Sequence, residues 1–291
     1  MRRFAPAFFV LLWSTGFIVA RYATRDAGAL SFLAVRTLVA AVVLALVAAV
    51  VREPSVTGRQ RRVMLVVGLG MHAMYLGGVF YAIEHGMPSG MSSLIAAMHP
   101  VVTTLFAWLV LGERLNRVRT VGVCLGVAGV VSVVVEHGGT GDGVPAPAMW
   151  AMVIAVAGMS AGTLVQRQSG QGTPLLRGTA WQYASSTVVL GVAAVAGEGW
   201  RFEATANTLW SLAWAVGVLS IAAVLIMLWL LHRQAASQVS SLFFLTPALS
   251  SVEAAVLFDE GLGGLAVLGL GVALVGVWLA TSQRFLSAPR T

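Results

Sequence analysis

The chain has 291 residues, of which 58% are hydrophobic and only 10% charged, with a mean hydropathy of +0.87. A soluble domain carries about 25% charged residues, so this composition cannot present a soluble surface and the lipid bilayer is the expected solvent. The net charge of +7 comes entirely from arginine, with no lysine anywhere; no nucleic-acid-binding motif accompanies it, and basic residues clustered in short loops are what membrane topology demands.

Ten segments are apolar and long enough to span, at about 20 residues each. They lie near 4–23, 29–51, 62–83, 89–111, 118–136, 148–167, 175–197, 207–231, 237–258 and 262–282. The first follows Arg2 and Arg3 but runs on through "FIVARYA" without a small-residue cleavage site, so it reads as a retained helix and not a signal peptide. The joints carry helix breakers: "REPSVTGRQRR", "EHGMPSG", "GERLNRVR", "EHGGTGDGVPAPA", "RQSGQGTP", "GEGWRFEATAN" and "DEGLGG".

Arginine sets the expected orientation. With the N-terminus in the cytoplasm, fourteen arginines fall in inside loops and tails and three, Arg21, Arg25 and Arg201, fall outside, with Arg36 inside a helix. That asymmetry predicts ten spans with both termini cytoplasmic, in a bacterial-type inner membrane. Acids lean the other way: Asp26, Glu84, Glu136, Asp142, Glu198, Glu203, Asp259 and Glu260 fall outside.

The segment "AAMHPVVTTLFAWLVLGERL" at 96–115 returns 147 positions later as "FLTPALSSVEAAVLFDEGL". That shift carries Pro100 to Pro247, Glu113 to Glu260, Gly122 to Gly269 and Gly129 to Gly276. Just before the proline the shift is 148, taking Ser92 to Ser240, and near the start of each half it is 146, taking Ser14 to Ser160, Arg21 to Arg167 and Arg36 to Gln182. Each half, 1–143 and 144–291, holds five spans. Five is odd, so the second half enters the membrane upside down. The fold class is therefore all-α: ten transmembrane helices in a five-plus-five inverted repeat around a central cavity, an architecture suited to alternating access.

These residues carry a family resemblance along the whole chain. "LLWSTGFIVARY", "LAVRTL" and "SSLIAAMHPVVTTLFAWLVLGERL" resemble the EamA-type members of the drug/metabolite transporter superfamily. The second copy departs, reading Phe-Asp-Glu-Gly-Leu, so the acid of the turn stays and its arginine is lost. The resemblance implies a helical basket lined mainly by helices 1, 3, 4, 6, 8 and 9, with helices 5 and 10 peripheral. It also implies export of small metabolites, with hydrophobic or aromatic amino acids and drug-like compounds as candidates.

Individual residues suggest a site. Pro100 and Pro247 each remove a helical hydrogen bond; one alone would be a packing kink, but two at repeat-equivalent places suggest paired hinges. Arg36 and Glu253 are the charges set well inside helices, at matched depth in the external half, and they either pair or face one cavity, or else each snorkels or bonds separately; Glu253 is the candidate coupling group. His72 and Tyr75 sit one turn apart on helix 3, and His99 precedes Pro100. Structural hydrogen bonding is the plainer role for a membrane histidine, with substrate contact or proton handling the alternative. Trp13, Trp181, Trp214 and Phe243 are deep aromatics suited to a flat apolar or cationic substrate. Ser14, Gln166, Thr246 and Ser251 are polar groups that could orient it. Trp150, Trp200, Trp210 and Trp278 lie near helix ends as interfacial anchors.

No metal or cofactor is expected: the histidines lack zinc spacing and Cys124 is the single cysteine. Without lysine there is no P-loop, and no ATPase subunit is implied. The expected partners are a small-molecule substrate and the bilayer. The chain thus reads as a secondary transporter and not an enzyme. A passive channel or a lipid-handling membrane enzyme is the alternative, though the inside loops offer a poor set of catalytic groups.

Overall fold

The computed structural model describes residues 5–113, 116–139, 143–223, 226, 245–260 and 263–281. These residues form ten helical rods. They are α1 (Ala5–Ala23), α2 (Ala29–Val50), α3 (Gly58–Glu84), α4 (Ser89–Leu111), α5 (Arg117–Gly139) and α6 (Ala146–Ser169). The remainder are α7 (Leu175–Ala193, extended by a π turn at Ala194–Glu198), α8 (Ala206–Ala222), α9 (Thr246–Phe258) and α10 (Gly264–Thr281).

Helix boundaries follow local chemistry. α3 starts four residues before the apolar run because Thr57 and Gln60 form a capping box, each side chain taking the other's backbone N–H. α4 is broken at Ala97 and Met98, and its second part, His99–Leu111, carries Pro100 in its first turn, where the missing N–H does least harm. Pro247 holds the same place at the start of α9. Both prolines thus stand in the first turn of a helical segment, and Pro100 does not bend an uninterrupted helix. The carbonyl that Pro100 leaves open, that of Ala96, accepts from His99 Nδ1 at 3.1 Å.

Packing obeys a two-fold relation between the halves. α3 packs on α6 as α8 packs on α1, α4 on α6 as α9 on α1, and α3 on α7 as α8 on α2. The pairs α2–α7, α4–α9 and α5–α10 meet across the axis. In α5–α10, Gly122 lies against Gly276 and Gly129 against Gly269, so closely that a side chain on any of the four would run into the facing helix. Exposed apolar side chains such as Leu46, Val110 and Leu268 cover the outside, together with Trp150, Trp210 and Trp278.

The inversion is visible in two matched caps. At one end, Glu198 closes α7 and accepts from the N–H groups of Leu30 and Ser31, which open α2, at 2.7 and 3.0 Å. At the other end, Glu53 follows α2 and accepts from the N–H groups of Leu176 and Arg177, which open α7, at 3.0 and 2.8 Å. A shift of 146 takes Leu30 to Leu176 and Ser31 to Arg177. The same contact therefore occurs twice, on opposite ends of the bundle.

The Glu198 end is the acidic end. There Glu84 accepts from Ala29 N–H, Glu260 from Ser89 Oγ and Gly90 N–H, and Glu136 from the N–H groups of Leu265 and Ala266. Asp26 accepts from Thr205 Oγ1 at 2.7 Å and Asn207 Nδ2 at 2.9 Å. These two bonds, helped by Arg25, hold its carboxyl below the usual carboxylate range. Acids that read from sequence only as the complement of inside arginines are thus caps for the free N–H groups of α2, α4 and α10 and a tether for the start of α8.

Candidate functional site

Between the halves lies a chamber of about 140 Å³. Its described lining comes from α1 (Trp13, Gly16, Phe17), α2 (Arg36), α3 (Met71, His72, Tyr75, Leu76, Val79, Phe80), α6 (Met159), α7 (Tyr183) and α8 (Leu219). The expected lining was helices 1, 3, 4, 6, 8 and 9. Among the described residues the lining comes from α2 and α7 beside α1, α3, α6 and α8, and not from α4 and α9, which pack on each other through the close approach of Gly90 and Ser251.

Two helices reach the chamber in an unusual backbone form. α3 holds a π-helical stretch at Leu69–Met74 and α8 one at Trp214–Ala222. The shift of 148 carries 69–74 to 217–222, inside the second stretch, so the two are repeat equivalents. A π turn widens the helix and redirects side chains, and such turns gather at functional sites. In α3 the flanking carbonyls keep partners in the apolar surround: Ser185 Oγ donates to Leu65 O at 2.9 Å and Ser186 Oγ to Gly68 O at 3.0 Å.

Two polar groups of the lining, His72 and Arg36, bond partners on facing helices in repeat-related pairs. His72 on α3 donates through Nε2 to Gln182 Oε1 on α7 at 3.1 Å. Arg36 on α2 makes a long 3.5 Å contact from Nη2 to Ser220 Oγ on α8. Arg36 maps to Gln182 by the shift of 146 and His72 to Ser220 by that of 148, so these are one contact written twice. The two copies differ in saturation. Gln182 also donates to Gln166 Oε1 at 3.4 Å and to Met64 Sδ at 3.3 Å, whereas Arg36 Nε is buried with no partner. The Arg36 guanidinium lies 6.0 Å from the Phe80 ring centroid, and His72 stacks at 4.4 Å, tilted, on Tyr183.

Of the residues singled out from sequence, Trp13, Arg36, His72 and Tyr75 line the chamber. Gln166 reaches it through Gln182. Ser14 is buried one residue from Trp13 and donates to Glu253 Oε1 at 2.7 Å, leaving Oε2 without a partner. Arg36 and Glu253 do not form an ion pair: among the described residues the ion pairs are Arg167–Glu113 and Arg201–Glu84. The remainder sit elsewhere. His99 bonds Ala96 O through its ring, and its own carbonyl accepts from Ser160 Oγ. Trp214 donates to Thr15 Oγ1 at 3.0 Å. Trp181 lies under Arg61 at the arginine-rich end, 5.4 Å from guanidinium to ring. Thr246 and Ser251 are buried on α9, the Thr246 hydroxyl without a partner. Phe243 lies outside the described residues.

Phe17, Phe80, Met159 and Leu219 line the chamber without having been singled out. Nothing separates them in sequence from the apolar residues around them. Gln182, the partner of His72, stands out in sequence because the repeat pairs it with the unusual Arg36.

The comparisons agree with this architecture. The EamA-like transporter family model matches residues 6–135 and 146–282, one match per repeat. The uncharacterized transporter YvbV of Bacillus subtilis is 24% identical over 278 residues, covering 95% of this chain and 90% of YvbV. The uncharacterized inner membrane transporter YedA of Escherichia coli K12 is 25% identical over 229 residues, covering 76% of this chain and 71% of YedA. A crystal structure of another protein, 19% identical, superposes with a TM-score of 0.64 over 95% of this chain and 96% of the other, a likeness of fold. With two five-helix repeats, each matched along nearly its whole length, the chain is a membrane-embedded, multi-pass member of the EamA-like transporter family.

Proposed function

We propose that the chain is a secondary transporter that exports small metabolites, hydrophobic or aromatic amino acids first among them, by alternating access. The observation that carries this reading is the chamber on the repeat axis. It is walled by Trp13, Phe17, Tyr75, Phe80 and Tyr183, which come from both halves, and its polar pairs are exchanged by the repeat relation. Two halves of similar sequence can trade conformations, which opens one central site first to one face and then to the other.

The arginine-rich end then faces the cytoplasm of a bacterial cell, with both termini on that side. Residues 1–143 and 144–291 act as the two moving halves, with hinges where Pro100 and Pro247 start new helical segments. Glu253, half-buried and bonded on one oxygen by Ser14, is the coupling group. At about 140 Å³ the chamber matches the roughly 150 Å³ of a cavity that holds one benzene. A phenyl side chain fits that space, whereas a larger drug-like body requires the walls to part.

The test is counterflow. Purified protein in liposomes preloaded with radiolabelled L-phenylalanine should give saturable efflux that excess unlabelled L-phenylalanine outside accelerates. Efflux linear in concentration and indifferent to outside substrate would mean a channel, and the hinges would lose their role.

A further inference from the structure

We infer that the chamber recognises its substrate by a carboxylate or similar single negative charge, held by Arg36, and takes small anions with an apolar body. The inference rests on the transporter reading above but not on the substrate carrying an amino group.

The repeat supplies an internal control. The fold needs a long polar side chain at this point of both halves, because α2 and α7 each send one across to the π-helical stretch of the other half. In the second half that need is met by a neutral amide, Gln182, which is fully engaged. In the first half the same place carries a guanidinium with five N–H donors, one long contact to Ser220, and an unpartnered Nε. The charge is therefore surplus to the packing role that its repeat mate performs. A guanidinium in the apolar interior stays only where a counter-charge or a water-filled cavity serves it.

No acidic residue lines the chamber among the described residues, and Glu253 takes its bond from Ser14. Arg36 is 5% exposed and is part of the chamber wall. Its planar fork matches a carboxylate in bidentate fashion. Phe80, Tyr75 and Tyr183 around it offer apolar surface to the remainder of such a ligand. An amine without a carboxylate would meet like charge with no acidic group among the described lining residues to offset it.

The experiment uses the purified full chain in detergent and three probes of one shape: 3-phenylpropionate, L-phenylalanine and phenethylamine. Binding is titrated calorimetrically and checked as a rise in unfolding temperature. The two carboxylates should bind and the amine should not. Arg36→Gln, which makes the position match Gln182, should weaken carboxylate binding by about tenfold to a hundredfold with elution and unfolding temperature unchanged, and Arg36→Lys should fall between. If Arg36→Gln does not fold, the wild-type series decides alone. Phenethylamine binding as tightly as 3-phenylpropionate, undiminished anion binding in a folded Arg36→Gln protein, or no binding of any probe would each overturn the inference. Anion binding without stimulated phenylalanine efflux would sink amino-acid export and leave the Arg36 site standing. Stimulated efflux that phenethylamine blocks equally well would do the reverse.

Discussion

Helices α5 and α10 meet backbone to backbone through Gly122, Gly129, Gly269 and Gly276, whereas α3 and α8 carry π-helical stretches and face the chamber. Both pairs are repeat equivalents. In the first pair the halves have kept these glycines at matching places. In the second they have diverged: Ser220 stands where the first half has His72, and Gln182 on α7 stands where α2 has Arg36. At a seam this close a side chain added at any of the four glycines meets the facing helix. A site that takes one asymmetric substrate needs the halves to differ. The symmetric part of the molecule is its frame, and the symmetry is broken at the chamber.

The comparison can be broken most severely at the frame. Gly276→Leu puts a side chain into the backbone of Gly122 and Gly126. Overpacking costs about 1–3 kcal/mol even when side chains can yield, and here backbone faces it, so we expect loss of the monodisperse peak on size exclusion. Gly271→Leu, five residues earlier in open space, should stay within about 0.5 kcal/mol of wild type. If both variants behave alike, the glycine contact is not what holds α5 to α10.

Next in size are the reciprocal caps. Glu198→Gln and Glu53→Gln each weaken two charge-assisted bonds to helix N–H groups and should each cost about 1–3 kcal/mol, measured by thermal unfolding in detergent. Sitting at opposite ends, they should add within about 0.5 kcal/mol. A double variant no worse than either single one would mean that α2 and α7 are not clamped at both ends.

At the chamber the effect moves from stability to flux. Gln182→Leu removes the acceptor of His72 and leaves the π stretch of α3 free to turn its imidazole. We expect stimulated efflux to fall by about tenfold, which corresponds to about 1.4 kcal/mol, while the protein still elutes as wild type. Unchanged efflux would show that the duplicated polar pair is scaffold only.

The smallest effect is at Asp26. Its carboxyl is held low by Thr205 and Asn207, so the tether it makes between the α1–α2 turn and α8 is fully present above the ordinary carboxylate pKa and is lost only as pH falls through the lowered folded value. Hydrogen exchange at the start of α8 should therefore be insensitive to this contact between pH 5 and 8, and Asp26→Asn should raise it slightly at all pH values in that range. An exchange rate that rises sharply between pH 7 and 5 would contradict that assignment.

Much of the frame was readable in the sequence because it is written as period and repetition. Ten apolar runs, the arginine bias, and the spacing of Pro100 to Pro247 and Gly122 to Gly269 all survive without coordinates. The capping box at Thr57 and Gln60 was readable too, but it sits inside a stretch whose arginines mark it as loop. The π stretches left no such trace. Beside the one in α3, hydroxyls from α7 meet carbonyls of α3, a tertiary circumstance that local sequence does not encode. The chamber lining was partly hidden for a related reason. In a mostly apolar helix such as α1 or α8, Phe17 and Leu219 look like any lipid-facing neighbour, whereas Trp13, Arg36, His72 and Tyr75 announce themselves. Arg36 and Glu253 share a depth along their helices, yet rotation about the axis, which depth does not specify, sends one to the chamber and the other to Ser14.

The central claim is that one chamber is reached from the two faces in turn. The most direct measurement places a single thiol in it. Cys124, the one cysteine, is exposed on α5 and is replaced in Cys124→Ser; Met71→Cys then labels the chamber wall. Reaction with a membrane-impermeant thiol reagent is followed from each side in sealed vesicles of both orientations, with and without L-phenylalanine. Alternating access predicts that substrate moves the two rates in opposite directions, raising one and lowering the other. Rates that rise or fall together from both sides would contradict it.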